Sequence, residues 1–301
     1  MPPTKPPAFS DLAYWDNRFS TTSTPFDWLV SANSLDSLVL ASIRSSSGER
    51  CNILHIGCGS SELSFRLGEL VGTRENVWNT DYSRVVIEQG RAIEEERFLP
   101  TPSASSSTVR AARPPATGHE EASGRMNWKV LDLLSEESIT AFRAETQSES
   151  FDLIVDKSTS DAISCGPDLP LPGYGASVPS RSTLSIILHP LELLALNLAR
   201  LTRSGGRWIC ISYSSDRFGF LHQGTSSRTQ SGHDGSTFRE LEASRYWRLE
   251  HKEEIEVETQ PERAVDAGIP EGGVTARMPV FRPKQVNYSY ILVRTDVLFE
   301  P

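Results

Sequence analysis

Short apolar runs alternate with longer amphipathic stretches through the first two thirds of this chain. Cys51–Ile56, Asn76–Thr80, Met126–Leu131, Phe151–Asp156 and Arg207–Ser212 are compact apolar runs bounded by Gly, Asp or Ser, which predicts strands. Leu35–Ile43, Ser61–Leu70, Arg84–Arg97 and Leu188–Leu201 predict helices, the last stopped by Gly205-Gly206. Thr237–Arg245 predicts one more helix. Tyr246–Glu258 and Val286–Val297 then alternate apolar and polar positions, as two antiparallel partners would. Strand and helix in turn, closed by a hairpin, predict an α/β fold. Its core is a Rossmann-like seven-stranded sheet with helices on both faces and an antiparallel strand at one edge.

Breaks in the pattern set the domain organisation. Residues 1–10 are a Pro-rich lead expected to be disordered, and residues 11–301 form one domain. Segments near 101–125, 164–182 and 214–236 are rich in Ser, Pro, Gly or Ala without period and are expected as surface insertions.

Composition narrows the function classes. A formal charge of −9 argues against nucleic acid as a partner and suits a basic protein better. The greasy run from Ile186 to Leu201 is interrupted by His189, Pro190, Glu192 and Asn197, so no membrane span is expected. Cys51, Cys58, Cys165 and Cys210 show no paired spacing, which fits reduced thiols and no metal site. The N-terminus has no apolar secretory core. A cytoplasmic monomer is the expectation.

The candidate chemistry lies at strand ends. Ile53–Ser64 reads as strand, a turn carrying Gly57 and Gly59, and a helix start, and Asp81 follows the next strand. Such glycines let backbone approach a nucleoside, and such a carboxylate accepts hydrogen bonds from ribose hydroxyls. A dinucleotide would rest its pyrophosphate on the helix start, where Glu62 would repel it. S-adenosylmethionine carries no phosphate and a cationic sulfonium, so it fits. Asp81-Tyr82, Asp132-Leu133 and Asp156-Lys157 follow successive strands, at the end of an open sheet where ligands bind. Acids there also cap helices, but four such places in order point to a cofactor cleft. Arg18 is a natural fork for the cofactor carboxylate.

Several motifs occur together. They are Tyr14-Trp15-Asp16-Asn17-Arg18-Phe19, Phe26-Asp27-Trp28, Gly57–Ser64, Asp81–Ile87 and Ser150–Lys157. The set resembles the class I, seven-strand methyltransferases that act on lysines of translation elongation factor 1A, and a mitochondrial relative acting on citrate synthase. It spans about residues 11–97, 126–161 and 184–213. The resemblance implies that Trp15 and Phe19 enclose the cofactor with Trp28 nearby. It places Gly57 at the methionine end, Asp81-Tyr82 at the ribose, Asp132-Leu133 at the adenine and Lys157 beneath the sulfonium. Trp15 and Trp28 are also readable as packing of an N-terminal helix. Most seven-stranded methyltransferases carry an acid two residues before Gly57, where this chain and the resembled branch do not; here it is His55.

Two departures touch the acceptor. Ser158 stands where that branch has a glycine, and Ser160 where it has an apolar wall residue. The implied reaction is in-line methyl transfer to a neutral amine held in a dry channel. Asp161, with Asp156 second, is the candidate orienting acid, although Asp161 is also readable as a cap. Two alternatives remain: a small-molecule acceptor with the same cofactor, or a non-catalytic module that binds partners on this fold.

Overall fold

In a computed structural model, residues 7–22, 24–44, 50–98, 124–146, 150–171, 186–222, 241–257 and 285–299 are described. In chain order the elements begin with α1 (Leu12–Thr21), α2 (Asp36–Arg44), β1 (Ile53–Ile56), α3 (Leu63–Val71), β2 (Val77–Asp81) and α4 (Arg84–Phe98). Next come β3 (Asn127–Val130), α5 (Glu136–Glu145), β4 (Phe151–Lys157), α6 (Thr159–Ile163), β5 (Leu169–Leu171) and β6 (Ile186–Leu188). The chain closes with α7 (Pro190–Leu201), β7 (Thr202–Ser212), α8 (Ala243–Tyr246), β8 (Trp247–Glu256) and β9 (Val286–Arg294).

Seven strands form one sheet in the order β3-β2-β1-β4-β7-β9-β8. The strands from β3 to β7 run parallel, while β9 pairs antiparallel with both β7 and β8. The reversed strand β9 and its neighbour β8 form the antiparallel pair at one edge.

Alternation along the central strands splits the core in two. Leu54, Ile56, Ile154, Trp208 and Cys210 pack with Leu191, Leu194 and Leu198 of α7. Ile53, Leu153, Val155, Ile209 and Ile211 pack with Leu35, Val39, Leu63 and Leu67 of the opposite layer. Both faces of β1 and β4 are covered, which is why these strands read as continuous apolar runs.

Three local expectations are corrected. The last long helix starts at Pro190, because the His189 ring accepts the Leu191 N–H at 3.2 Å as its cap and proline suits the first turn. Residues 186–188 instead pair with β5 as a small hairpin. Gly205-Gly206 does not end α7; it lies inside β7, where pairing with β4 shifts register and Gly205 takes φ +75°. Between β3 and β4 the chain also forms α5, which the strand-by-strand pattern had passed over. Its signal is a helix start at Ser135, whose hydroxyl accepts the Ser138 N–H, followed by Glu136 and Glu137 in the first turn.

The expected insertions fall largely outside the described residues, as do most of the N-terminal lead and residues 237–240 of the expected helix Thr237–Arg245, whose described part is helical from Ala243. Among the described residues no helix is long and apolar enough to cross a membrane, and no cluster of His, Cys, Asp or Glu has metal-ligand geometry. The four cysteines are free.

Candidate active site at the carboxyl ends of the parallel strands

A cavity of about 670 Å³ opens at the tips of β1, β2, β3 and β4. Its lining includes Trp15, Arg18, Phe19, Trp28, Gly57, Gly59, Asp81, Tyr82, Asp132, Leu133, Lys157 and Asp161. The residues singled out in the sequence thus converge on one cleft, with the exception of Asp156.

The floor is built by the turn after β1. Gly57 and Gly59 both hold φ +51°, a left-handed conformation that side chains disfavour. At Gly57 a Cβ would lie 2.2 Å from Thr159 Oγ1, so the turn and α6 pack backbone against side chain. The Gly59 N–H donates to Asp81 Oδ2 at 3.1 Å, and the Ser83 N–H donates to Asp81 Oδ1 at 2.9 Å. These bonds fix the carboxylate at the end of β2 and leave its remaining lone pairs toward the cavity. Burial pushes the Asp81 carboxyl up to about 6, against the pull of the backbone donors.

His55 lies at the back of the cavity, buried, with Nδ1 3.1 Å from Ser64 Oγ and 3.2 Å from Asn79 Oδ1. Burial lowers its pKa to about 3, so the ring is neutral. The Glu62 carboxylate turns away and pairs with Arg97 at 2.7 Å. It does not line the cavity, so its charge is spent on that partner and leaves the choice of ligand to the turn itself.

One wall comes from α1. Asp16 accepts the Ser83 hydroxyl at 2.5 Å and the Phe19 carbonyl accepts Gln89 Nε2 at 3.0 Å, which hold the helix over the tip of β2. Trp15 stacks on Phe19 with ring centroids 5.7 Å apart and meets Trp28 edge-on at 6.2 Å. Packing and cavity lining are therefore joint roles of the same rings. The Arg18 guanidinium sits 4.6 Å from the Phe26 centroid and 5.6 Å from the Trp28 centroid. Among the described residues no carboxylate forms an ion pair with it, so its charge is available to a ligand. Asp132 accepts the Leu134 N–H at 2.9 Å and is exposed at the rim, beside the buried Leu131 and Leu133.

The tip of β4 sorts the remaining candidates. Asp156 is fully buried and does not line the cavity. Its oxygens accept the Thr159 N–H at 2.9 Å, the Ser160 N–H at 3.3 Å and the Ser160 hydroxyl. It anchors the first turn of α6, and burial raises its pKa to about 6. The expectation of a catalytic Asp156 is corrected: strand alternation sends it to α6 and sends Lys157 to the cavity. Ser160 turns to Asp156 and forms no cavity wall, so that departure leaves the lining untouched. Ser158 does hold φ +72°, the left-handed conformation that a glycine would take without strain. Its hydroxyl donates to Asp161 Oδ2 at 2.9 Å.

Asp161 lines the cavity but is fully engaged. Oδ1 lies 2.6 Å from Arg217 Nη2 and accepts the Ser212 hydroxyl at 2.5 Å, and Oδ2 accepts the Tyr213 N–H at 3.2 Å. Lys157 is likewise paired: its ammonium donates to Asp27, which also accepts the Ser61 hydroxyl. Sequence reasoning missed Asp27, Arg217, Tyr213 and Phe9 as parts of this site. Only Asp27 had a signal, its place inside the Phe26–Trp28 motif. Phe9, assigned to the disordered lead, lines the cavity, and its carbonyl accepts Trp15 Nε1 at 2.7 Å.

Numbered within the main sheet alone, the strands run 3-2-1-4-5-7-6. This order, with a glycine turn and a ribose-suited acid at one cleft, defines the class I methyltransferase architecture. No family model matches the chain. It is 28% identical over 214 residues to "Methyltransferase srdJ" of Neurospora crassa, covering 70% of each chain. It is 25% identical over 219 residues to "EEF1A lysine methyltransferase 4" of Mus musculus, covering 71% of this chain and 65% of the mouse protein, just under two thirds of it. The Bos taurus protein of that name is 23% identical over 222 residues, with 73% of this chain and 68% of that one covered. A solved SAM-dependent methyltransferase from Anabaena variabilis superposes with a TM-score of 0.48 and 13% identity, over 97% of this chain and 96% of that one, a likeness that bears on neither site nor substrate. The chain has the class I methyltransferase fold, and the curated relatives it matches are named methyltransferases.

Proposed function

We propose that the chain transfers the methyl group of S-adenosylmethionine to the side-chain amine of a protein lysine, on a substrate of the elongation factor 1A type. The observation that carries this reading is the similarity to the two EEF1A lysine methyltransferase 4 chains, which covers 71% and 73% of this chain. In this reading Gly57 and Gly59 meet the methionine end and Asp81 with Tyr82 holds the ribose. Asp132 and Leu133 flank the adenine, Arg18 takes the carboxylate, and Trp15, Phe19 and Trp28 close the cavity. The acceptor end lies past Thr159 and Asp161, walled by Ile163, Leu169 and Pro190. Apolar walls favour the neutral amine, the form able to attack the methyl carbon. The nitrogen lone pair forms the new N–C bond as the C–S bond breaks, and the proton leaves to solvent or a nearby base.

One observation favours a second reading. Asp161 is already matched by Arg217, which leaves the acceptor end less anionic than a charged lysine would prefer and suits a neutral small-molecule acceptor. Methyl-labelled cofactor, incubated with recombinant elongation factor 1A and separately with cell lysate, tests both. Label in a protein band, mapped to lysine, supports the first reading. Label confined to small molecules overturns it in favour of the second. Binding of the cofactor without transfer to anything points to a non-catalytic module.

A further inference from the structure

The cofactor is a cation at sulfur, yet a lysine lines its cleft. Lys157 lies at the end of β4 beside the Gly57 turn, with its side chain only 4% exposed. An unmatched ammonium there would repel the sulfonium of the methyl donor. It would leave the neutral thioether product, S-adenosylhomocysteine, unaffected, although the two molecules otherwise share one shape. The pocket would then favour product over substrate.

We infer that Asp27 is the positioning residue that prevents this, cancelling the Lys157 charge so that the cleft accepts the cationic donor. The inference rests on the cofactor assignment and extends it to the discrimination between donor and product. Asp27 comes from the segment between α1 and α2, 130 positions from Lys157 in sequence. Its Oδ1 accepts from the Lys157 ammonium and the Ser61 hydroxyl, and the Ala32 N–H donates to Oδ2 at 3.3 Å. The segment is fixed further by Leu29 at φ +64° and by the Val30 carbonyl, 3.4 Å from Lys157 Nζ. Three donors on one carboxylate hold it in a single place, as a charge-matching role requires.

Two other features agree. Burial pushes the Lys157 amine below its ordinary range, and Asp27 is the group that opposes this. Burial also pushes the Asp27 carboxyl up, but its hydrogen bonds to Lys157 and Ser61 outweigh that and bring it below the usual carboxylate value. His55, where most seven-stranded methyltransferases carry an acid, is neutral and supplies no countercharge. The anion at this corner comes instead from the N-terminal segment.

The test is calorimetric binding of S-adenosylmethionine and S-adenosylhomocysteine to the full chain, expressed as the ratio of the two dissociation constants. Asp27→Asn should raise that ratio, weakening the donor relative to the product by roughly tenfold, the scale of one uncompensated charge in a half-buried site. Lys157→Met leaves Asp27 unmatched and should move the ratio the other way. Asp27→Glu keeps the charge and should stay near wild type. A ratio within about twofold of wild type in both Asp27→Asn and Lys157→Met overturns the inference. So does equal loss of both ligands by a folded Asp27→Asn, which would make Asp27 a structural support only. If Asp27→Asn does not fold, Lys157→Met decides. A wild-type chain that binds neither ligand would instead overturn the cofactor assignment.

Discussion

Arg217 Nη2 lies 2.6 Å from Asp161 Oδ1, and both side chains are more than nine-tenths buried. The pair joins α6 to the segment after β7 at the acceptor end of the cleft. It is secured by the Ser212 hydroxyl on Asp161 and by Arg217 donating to Ser164 and Ser212. The acid that lies nearest the expected acceptor therefore acts as one half of a matched pair and not as a free base.

Breaking that pair should cost stability before it touches chemistry. Arg217→Met leaves a buried carboxylate without its cation and should destabilise the fold by about 3–5 kcal/mol. The double variant Arg217→Met/Asp161→Asn should recover part of the loss. Chemical denaturation of wild type and the two variants reads this directly. An Arg217→Met chain as stable as wild type would show that the pair contributes nothing.

Asp81 should control cofactor affinity through its charge. Asp81→Asn removes a carboxylate acceptor from the expected ribose contacts and should weaken S-adenosylmethionine binding by about 1.5–3 kcal/mol, roughly 10–100-fold. Because burial raises Asp81 to about 6, wild-type affinity should be full above that pH and fall as pH drops through it. The asparagine variant should lack this step. Titration calorimetry at pH 5, 6, 7 and 8 compares them, and identical pH profiles would refute the assignment.

Asp156 should tilt the stability curve. Its carboxyl is raised from 3.8 to about 6, so the native state keeps a proton that the unfolded chain releases between those values. The unfolded state then binds fewer protons, and stability falls as pH rises through that window and levels above it. The full effect is on the order of 3 kcal/mol. Asp81 adds a tilt of the same sign, so the readout is a difference: Asp156→Asn should gain relative to wild type from about pH 4 to 6. Denaturation at both ends of the window checks it, and a constant difference contradicts it.

Gly57 should tolerate no side chain. Gly57→Ala sets a Cβ 2.2 Å from Thr159 Oγ1 at a left-handed φ. The clash should displace α6 and abolish measurable cofactor binding. Adding Thr159→Ala removes the two nearest atoms but leaves its Cβ at 3.0 Å and about 1 kcal/mol of backbone strain, so binding should return only in part. Full binding by the single variant would show that the turn is not held as described.

Much of this cleft was readable because its signals are local. Gly57, Gly59 and Asp81 each sit where a strand ends, and a strand end is written in the few residues around it. Trp15, Phe19 and Trp28 were found through motif resemblance and Arg18 through the carboxylate its fork would suit, and the structure brings them to the same cavity. The hairpin at 169–171 and 186–188 was not readable, because its two strands are distant in sequence and β6 abuts the apolar run of α7. Asp156 and Lys157 were indistinguishable as neighbours in a string, since a single step along β4 reverses which layer a side chain enters.

The sequence by itself determined the alternation of strands and helices, the glycine turn, and the order of acids at strand ends, because backbone preference and apolar period act over a few residues. It did not determine which of those acids still carries an unspent charge. That was decided by tertiary structure: Asp27 on Lys157, Arg217 on Asp161 and Arg97 on Glu62 are pairings between separate elements. Coulomb attraction and burial depend on distance in space, and only the folded sheet brings these partners within reach.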